Sequence, residues 1–321
     1  MDIQNHLDSS YHNEIRKDVL RGLTASRKSI PSKYSYDARG SRLFDEICGL
    51  PEYYQTRTEM HILKNAAPDI VGSFKNGDLV ELGSGANWKV RMLLDAAGES
   101  SLSGLRYIPI DVSETALIDA SEELSDIYPE LQVRAVIADF TKHLYMLDQD
   151  RPKLIVFFGS TIGNFNAEES VEFLRNIADF MKPGDRFLIG VDMLKPRDIL
   201  EAAYNDSRGV TSKFNKNILT VLNRELNADF DLSHFDHLAF FNEEEEHIEM
   251  HLKAKQRVSV DIKALGLNVE LKEDETIHTE VCRKFSRESA GQMFSASGLA
   301  VRRWFSDPKE WFNLAELILA D

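Results

Sequence analysis

The chain has 321 residues, with 38 Lys and Arg against 53 Asp and Glu, a formal net charge of −15. That length allows two domains or one elaborated domain with a full core, and a content of 43% hydrophobic and 28% charged residues excludes disorder for the chain as a whole. The acidic balance argues against nucleic acid or an anionic membrane as the main partner, and two cysteines, Cys48 and Cys282, exclude a Cys-based zinc cluster and fit a reducing compartment.

No run approaches the roughly 18 apolar residues of a membrane span. The start, Met1-Asp-Ile-Gln-Asn-His, has neither a basic nor an apolar leader region. The expectation is a cytoplasmic monomer acting on a small molecule, with no nucleic acid and no membrane.

In chain order, residues 1–60 read as helices and loops leading to an aromatic cluster, Tyr36, Phe44, Tyr53 and Tyr54. From Gly77 short apolar runs alternate with helical stretches. Asp78-Leu-Val-Glu-Leu precedes a helix near 88–97, Tyr107-Ile-Pro-Ile precedes a helix opening at Ser113, and strands follow at 133–138 and 154–158. A helix starts at Asn166, where Glu169 three residues on forms a capping box, Lys182-Pro-Gly-Asp closes it, and 186–191 is the next strand. Strands alternating with helices imply βαβ units and a parallel sheet covered on both faces. The rhythm changes after about residue 196, with helices at 197–204 and 213–226. Strict alternation then follows in Ile248, Met250, Leu252 and Ala254, in Val258, Val260 and Ile262, and in Ile277, Thr279 and Val281. The tail carries another strand candidate at 300–305. The expected architecture is α/β, a doubly wound Rossmann-like domain with a second, partly antiparallel domain inserted late.

The sharpest local signal is Val80-Glu-Leu-Gly-Ser-Gly-Ala-Asn-Trp-Lys89, a strand ending in Gly-x-Gly with a helix behind it. Such a turn offers backbone N–H groups at a helix N-terminus to a ligand. Trp88 stands where the dinucleotide fingerprint has its third glycine, so a nucleoside without pyrophosphate fits better than NAD or FAD. S-adenosylmethionine (SAM) suits it: the helix N-terminus and Lys89 could hold its carboxylate, and its sulfonium tolerates an acid such as Glu81. Alone, the turn is equally a tight strand–helix connection. Asp111, closing the next strand, can accept both ribose hydroxyls, and Asp139 with Phe140 pairs an acceptor for the adenine amino group with an aromatic wall. Each aspartate singly is more often a cap, but the three strand ends together favour one nucleoside. The fourth strand delivers Phe158-Gly-Ser-Thr-Ile-Gly-Asn164, whose Asn164 can hydrogen-bond an acceptor's carboxylate or serve as a turn residue.

Tyr36-Asp37, Leu50-Pro-Glu-Tyr-Tyr with Thr56-Arg-Thr-Glu, Val80-Glu-Leu-Gly-Ser-Gly, Gly159-Ser-Thr-Ile-Gly-Asn, His247-Ile-Glu-Met-His-Leu and Thr279-Glu280 together resemble the L-histidine Nα-methyltransferases of ergothioneine biosynthesis, in order along nearly the whole chain. The resemblance implies a class I methyltransferase domain from 61–196 and 287–321 and a discontinuous α+β substrate-binding domain from 1–60 and 197–286. It implies that Gly83, Lys89, Asp111, Asp139 and Phe140 bind SAM. Tyr53, Asn164, Tyr204, Glu280 and Cys282 would bind histidine, with Tyr36, Phe44, Gly159, Thr161 and Met250 lining the site. The implied activity is three methyl transfers to the α-amino nitrogen, giving the betaine hercynine. Cys282 stands where a member of the family has Ser, and a thiol is larger and a weaker donor than a hydroxyl. That departure opens an alternative acceptor, another aromatic amino acid such as tryptophan or a derivative. Glu280 opposes it, since a buried acceptor for an imidazole discriminates strongly against rings that cannot use it. Tyr36 could position or accept the amine proton, directly or through water, or simply cover the cofactor.

His247, Glu249 and His251 fall on one face of a strand, and His234 and His237 could meet on a helical turn. We read the first set as the outer face of a strand whose inner face is Ile248, Met250 and Leu252, and expect no metal.

Overall fold

In chain order the elements of the computed structural model are β1 (Asp2–Asn5), α1 (Ser10–Thr24), β2 (Lys28–Ser29), α2 (Ala38–Cys48), α3 (Tyr54–Val71), β3 (Gly77–Leu82), α4 (Trp88–Ala97), α5 (Glu99–Leu102), β4 (Leu105–Asp111), α6 (Glu114–Ile127), β5 (Gln132–Ile137), β6 (Lys153–Phe157), α7 (Ala167–Phe180) and β7 (Arg186–Asp192). There follow α8 (Arg197–Tyr204), α9 (Val210–Leu226), β8 (Phe235–Asn242), β9 (His247–Ala254), β10 (Val258–Ile262), β11 (Leu267–Leu271), β12 (Thr276–Arg283), α10 (Arg287–Ala296), β13 (Leu299–Ser306) and β14 (Phe312–Leu319). Residues 1–6, 10–85, 87–144, 147 and 150–320 are described. They divide into a first unit of Met1–Leu7, Gln55–Leu194 and Arg283–Asp321 and a second of Asp8–Tyr54 and Lys195–Cys282. No described helix is long and apolar enough to cross a membrane.

The first unit is built on an eight-stranded sheet in the order β1-β5-β4-β3-β6-β7-β14-β13. The pairs β1–β5, β5–β4, β4–β3, β3–β6 and β6–β7 are parallel, while β14 runs antiparallel to both β7 and β13. This is the α/β, Rossmann-like arrangement expected. The central strands β3, β6 and β7 are buried at every residue, as strands of a parallel sheet covered on both faces should be, with Asp78 and Glu81 buried among the apolar residues of β3. Asn166 caps α7 reciprocally: its Oδ1 accepts the Glu169 N–H at 2.9 Å, and the Glu169 carboxylate accepts the Asn166 N–H at 2.9 Å.

Five strands escape the sequence pattern: β1, β2, β8, β11 and β14. The segment Met1–Leu7 falls in this unit, apart from residues 8–54, because β1 pairs in parallel with β5. Strand β14, its first six residues buried, lies inside the sheet rather than trailing from it. The short β2 pairs in parallel with β12.

The second unit carries a four-stranded sheet, β2-β12-β9-β8, and the antiparallel pair β10–β11. Its core gathers Ile15 and Val19 of α1, Ile218, Leu219 and Leu222 of α9, and inward residues of β8 to β12. Strand β9 alternates as its sequence predicts, with Ile248, Met250, Leu252 and Ala254 buried. In β12 the alternation slips: Ile277 and Thr279 are buried, then Cys282 instead of Val281. His234 ends a 3-10 turn and His237 lies on β8, so the two do not share a helical turn.

Candidate active site

In the first unit the carboxyl ends of β3, β4, β5 and β6 gather the residues expected to hold a nucleoside. Gly83 and Gly85 carry the chain past β3 with φ of 68° and 44°, a backbone that would cost another residue about 1–2 kcal/mol. Ala86 lies outside the described residues. The Asn87 amide turns away to α6, donating to the Ala120 carbonyl at 2.9 Å and the Glu123 carboxylate at 3.0 Å, so no side chain caps α4. The buried Ser84 hydroxyl has no hydrogen-bond partner among the described residues.

Asp111 is half-buried at the end of β4 and accepts the Ser113 N–H at 2.8 Å. Burial raises its carboxyl above the ordinary range, against the pull of N–H groups from Ser113, Gly85 and Val112. Gly85 and Asp111 are thereby joined. Asp139 accepts the Thr141 N–H at 3.0 Å and hydroxyl at 2.6 Å, and its other oxygen lies 3.2 Å from the Lys142 ammonium. Burial pushes its carboxyl up, but Thr141 and Lys142 together hold it below the usual range. Phe140 packs edge-on against Phe157 and Phe173, and a Cβ on Gly83 would stand 3.5 Å from its ring. Gly83 and Phe140 are therefore neighbours.

Glu81 is buried on β3 and accepts the Tyr107 hydroxyl. Burial pushes its carboxyl up to about 8, against the Tyr107 hydrogen bond and the Lys89 charge and with the help of Asp111 and Glu59. Near neutral pH it is mostly protonated, so the acid that a sulfonium was expected to tolerate there is largely neutral.

Beyond β6, Gly159 has φ 76° and Ser160 the left-handed φ of 56°. The Ser160 hydroxyl accepts the Asp192 N–H at 2.8 Å, which fixes this strained turn. The Thr161 hydroxyl donates to the Phe158 carbonyl at 2.9 Å. Asn164 is half-buried. Lys89 pairs with Glu59 at 2.7 Å. An open glycine turn, an orphaned buried hydroxyl, an acid at each of two strand ends and an aromatic wall fit a nucleoside carrying an amino-acid tail.

The second unit assembles the aromatic residues. Tyr36 meets Phe44 at 5.6 Å and Phe214 at 5.2 Å between ring centroids, Phe44 meets Tyr53 at 6.2 Å, and Tyr53 meets Tyr204 at 6.3 Å. Burial raises the Tyr53 hydroxyl well above 10, with Tyr204, Cys48, Cys282 and Tyr36 adding to the shift. Tyr53 is therefore a neutral hydroxyl at the centre of this group. Asp37 caps α2 by accepting the Gly40 N–H at 2.8 Å and is held by Asn217 at 2.8 Å and Arg224 at 2.6 Å, which anchors Tyr36 beside it. Glu52 accepts the Ser207 hydroxyl at 2.7 Å, tying the segment before Tyr53 to the one after Tyr204.

Glu280 is half-buried and Cys282 buried on β12. Met250 is buried on β9, and its carbonyl accepts the Thr279 hydroxyl at 3.0 Å. The sequence reading missed three supports: Phe214, Asn215 and His237. The Asn215 amide donates to His237 Nδ1 at 2.9 Å and to the His251 carbonyl at 3.0 Å, and its oxygen accepts the Thr279 hydroxyl at 2.6 Å. His237 Nε2 in turn donates to the Tyr204 carbonyl at 2.8 Å. The available signal was a pair of asparagines, Asn215 and Asn217, on the buried face of α9.

On the other face of β9, Glu249 accepts from His247 at 3.1 Å, His251 at 2.9 Å and Asn242 at 2.8 Å. Burial pushes its carboxyl up, yet these bonds hold it at about 2. Ligand atoms of Glu249, His251 and His278 lie within 4.8 Å of one another. Burial, and then the neighbouring His251, bring His278 down to about 4.

A family model described as histidine-specific methyltransferase, SAM-dependent, matches residues 15–318. A histidine N-alpha-methyltransferase of Mycolicibacterium smegmatis is 44% identical over 301 residues, covering 94% of each chain. One of Mycobacterium tuberculosis is 41% identical over 314 residues, covering 98% of each. Ergothioneine biosynthesis protein 1 of Schizosaccharomyces pombe is 31% identical over 246 residues, 73% of this chain and 32% of that longer protein. With a family model and two near-full-length relatives agreeing, this chain belongs to the histidine-specific, SAM-dependent methyltransferases.

Proposed function

We propose that the protein transfers three methyl groups in succession from SAM to the α-amino nitrogen of L-histidine, giving hercynine, the first step of ergothioneine biosynthesis. The family match over residues 15–318 carries this reading. SAM, when bound, supplies a methyl group already activated on a sulfonium.

The protein's task is then alignment, which can contribute several kcal/mol by fixing nitrogen, methyl carbon and sulfur in line. Asp111 would accept the ribose hydroxyls, Asp139 and Phe140 hold the adenine, and Lys89 with the Gly83 turn hold the carboxylate. Asn164 and Tyr204, neutral groups, would anchor the substrate carboxylate without drawing its ammonium into an ion pair. Glu280 would accept from the imidazole, with Tyr53 and Cys282 beside the ring. Phe44, Gly159, Thr161 and Met250 would line the site. Tyr36, steered by Asp37 through the cap on α2, would orient the amine and accept its proton directly or through water.

Mass spectrometry of histidine incubated with protein and SAM tests this. A ladder of one, two and three added methyl groups ending in the trimethyl species is expected. Arrest after one methyl, or faster methylation of tryptophan, would overturn the assignment.

A further inference from the structure

Glu59, in the Thr56-Arg-Thr-Glu run, has so far been given no role. It projects from α3 and is 0% exposed. Both its oxygens accept the Gly159 N–H at 3.0 Å, and Oε2 also takes the Lys89 ammonium at 2.7 Å. The sheet is shaped around this carboxylate. A Cβ on Gly190, mid-strand in β7, would stand 2.5 Å from Glu59 Oε1 and 3.0 Å from the Phe312 ring, so only a hydrogen leaves room. A Cβ on Gly159 would come within 3.4 Å of the Lys89 ammonium.

We propose that Glu59 is a positioning residue for the cofactor: it pins the Lys89 ammonium beside the Gly159 turn, so that Lys89 meets the SAM carboxylate in a fixed direction. This rests on the reading of Lys89 as a cofactor-binding residue. A lysine ammonium has three N–H donors, enough to serve a buried carboxylate and a ligand carboxylate at once. Its stem is flexible, and an anchor in the free protein lowers the ordering cost on binding. The same carboxylate fixes Gly159, so one group sets both the ammonium and the turn.

A double-mutant cycle of Glu59→Gln and Lys89→Met, with S-adenosylhomocysteine affinity by calorimetry and the KM for histidine as readouts, tests it. Each single variant is expected to weaken the nucleoside about tenfold, the size of one charge-assisted hydrogen bond. The double variant should bind no more weakly than Lys89→Met, and the histidine KM should stay within about twofold. Glu59→Asp, which keeps the charge, should recover part of the loss and replaces Glu59→Gln in the cycle should that variant not fold. Unchanged affinity in Glu59→Gln, or losses that multiply in the double variant, would overturn the proposal while leaving Lys89 a ligand. Unchanged affinity in Lys89→Met would remove the reading of Lys89 and the proposal with it.

Discussion

Replacing Glu81 by Gln should abolish a specific pH dependence of stability. Burial on β3 takes this carboxyl from an ordinary 4.5 up to about 8, against the Tyr107 hydrogen bond. A folded chain that keeps its proton to about 8, when the unfolded chain gives it up near 4.5, binds more protons throughout that window. Stability therefore falls as pH rises from about 4.5 and levels off above about 8. At about 1.4 kcal/mol per pH unit the interval amounts to at most roughly 5 kcal/mol. Glu81→Gln keeps the shape and a hydrogen-bond acceptor for Tyr107 and cannot ionise. Denaturant unfolding without ligand, at steps from pH 4.5 to 9, gives parent minus variant stability. All three tryptophans, Trp88, Trp304 and Trp311, lie in the first unit with Glu81, so their fluorescence reports the relevant transition. The difference should decline by several kcal/mol across the window. A flat difference, or one rising with pH, would refute the reasoning.

Asp111→Ala should weaken S-adenosylhomocysteine about 10–100-fold with little change in the histidine KM, and Glu280→Ala should do the reverse, each losing one charge-assisted contact; equal damage to both parameters in either variant would contradict the assigned roles. On the acid side, His278 sits near 4 against an ordinary 6.5 and Glu249 near 2 against 4.5, so stability is lost as pH falls from about 6.5 through 4 for the first and from about 4.5 through 2 for the second. His278→Gln should therefore gain on the parent, by up to roughly 3 kcal/mol, as pH drops from about 6.5 to 4, with no change in the difference above 6.5; thermal midpoints across that range would show it.

The parallel core was legible because β3, β6 and β7 are short, largely apolar runs between well-punctuated helices, and the capping box at Asn166 is written in local chemistry. What stayed hidden depends on distant partners. Strand β14 carries Glu316 in its interior, a charge that argues against a buried strand until Arg186 of β7 is seen 2.7 Å away. Strand β1 is four residues long and defined only by its pairing with β5. The phase slip in β12 moves burial from Val281 to Cys282, which no period-two rule foresees. In the candidate site, Gly83, Asp111 and Phe140 are readable as ends of strands, and Tyr53, Tyr204 and Glu280 enter only through the family resemblance. Asn215 and Glu59 were not readable, since each looks like an ordinary polar helix residue until its buried neighbours are known.

The place of β14 bears on how the protein is made. The interior strand β14, residues 312–319, follows every other strand of its sheet in the chain, so it reaches the sheet last. Until then β7 presents an open edge, and Lys195–Cys282, already emerged, belongs to the other unit. Such a bare edge on a nascent chain is a pairing site for other chains. Shortening the C-terminus by ten residues would thus do more than trim a tail, since it removes a middle plank of the sheet and strands β13 without a neighbour.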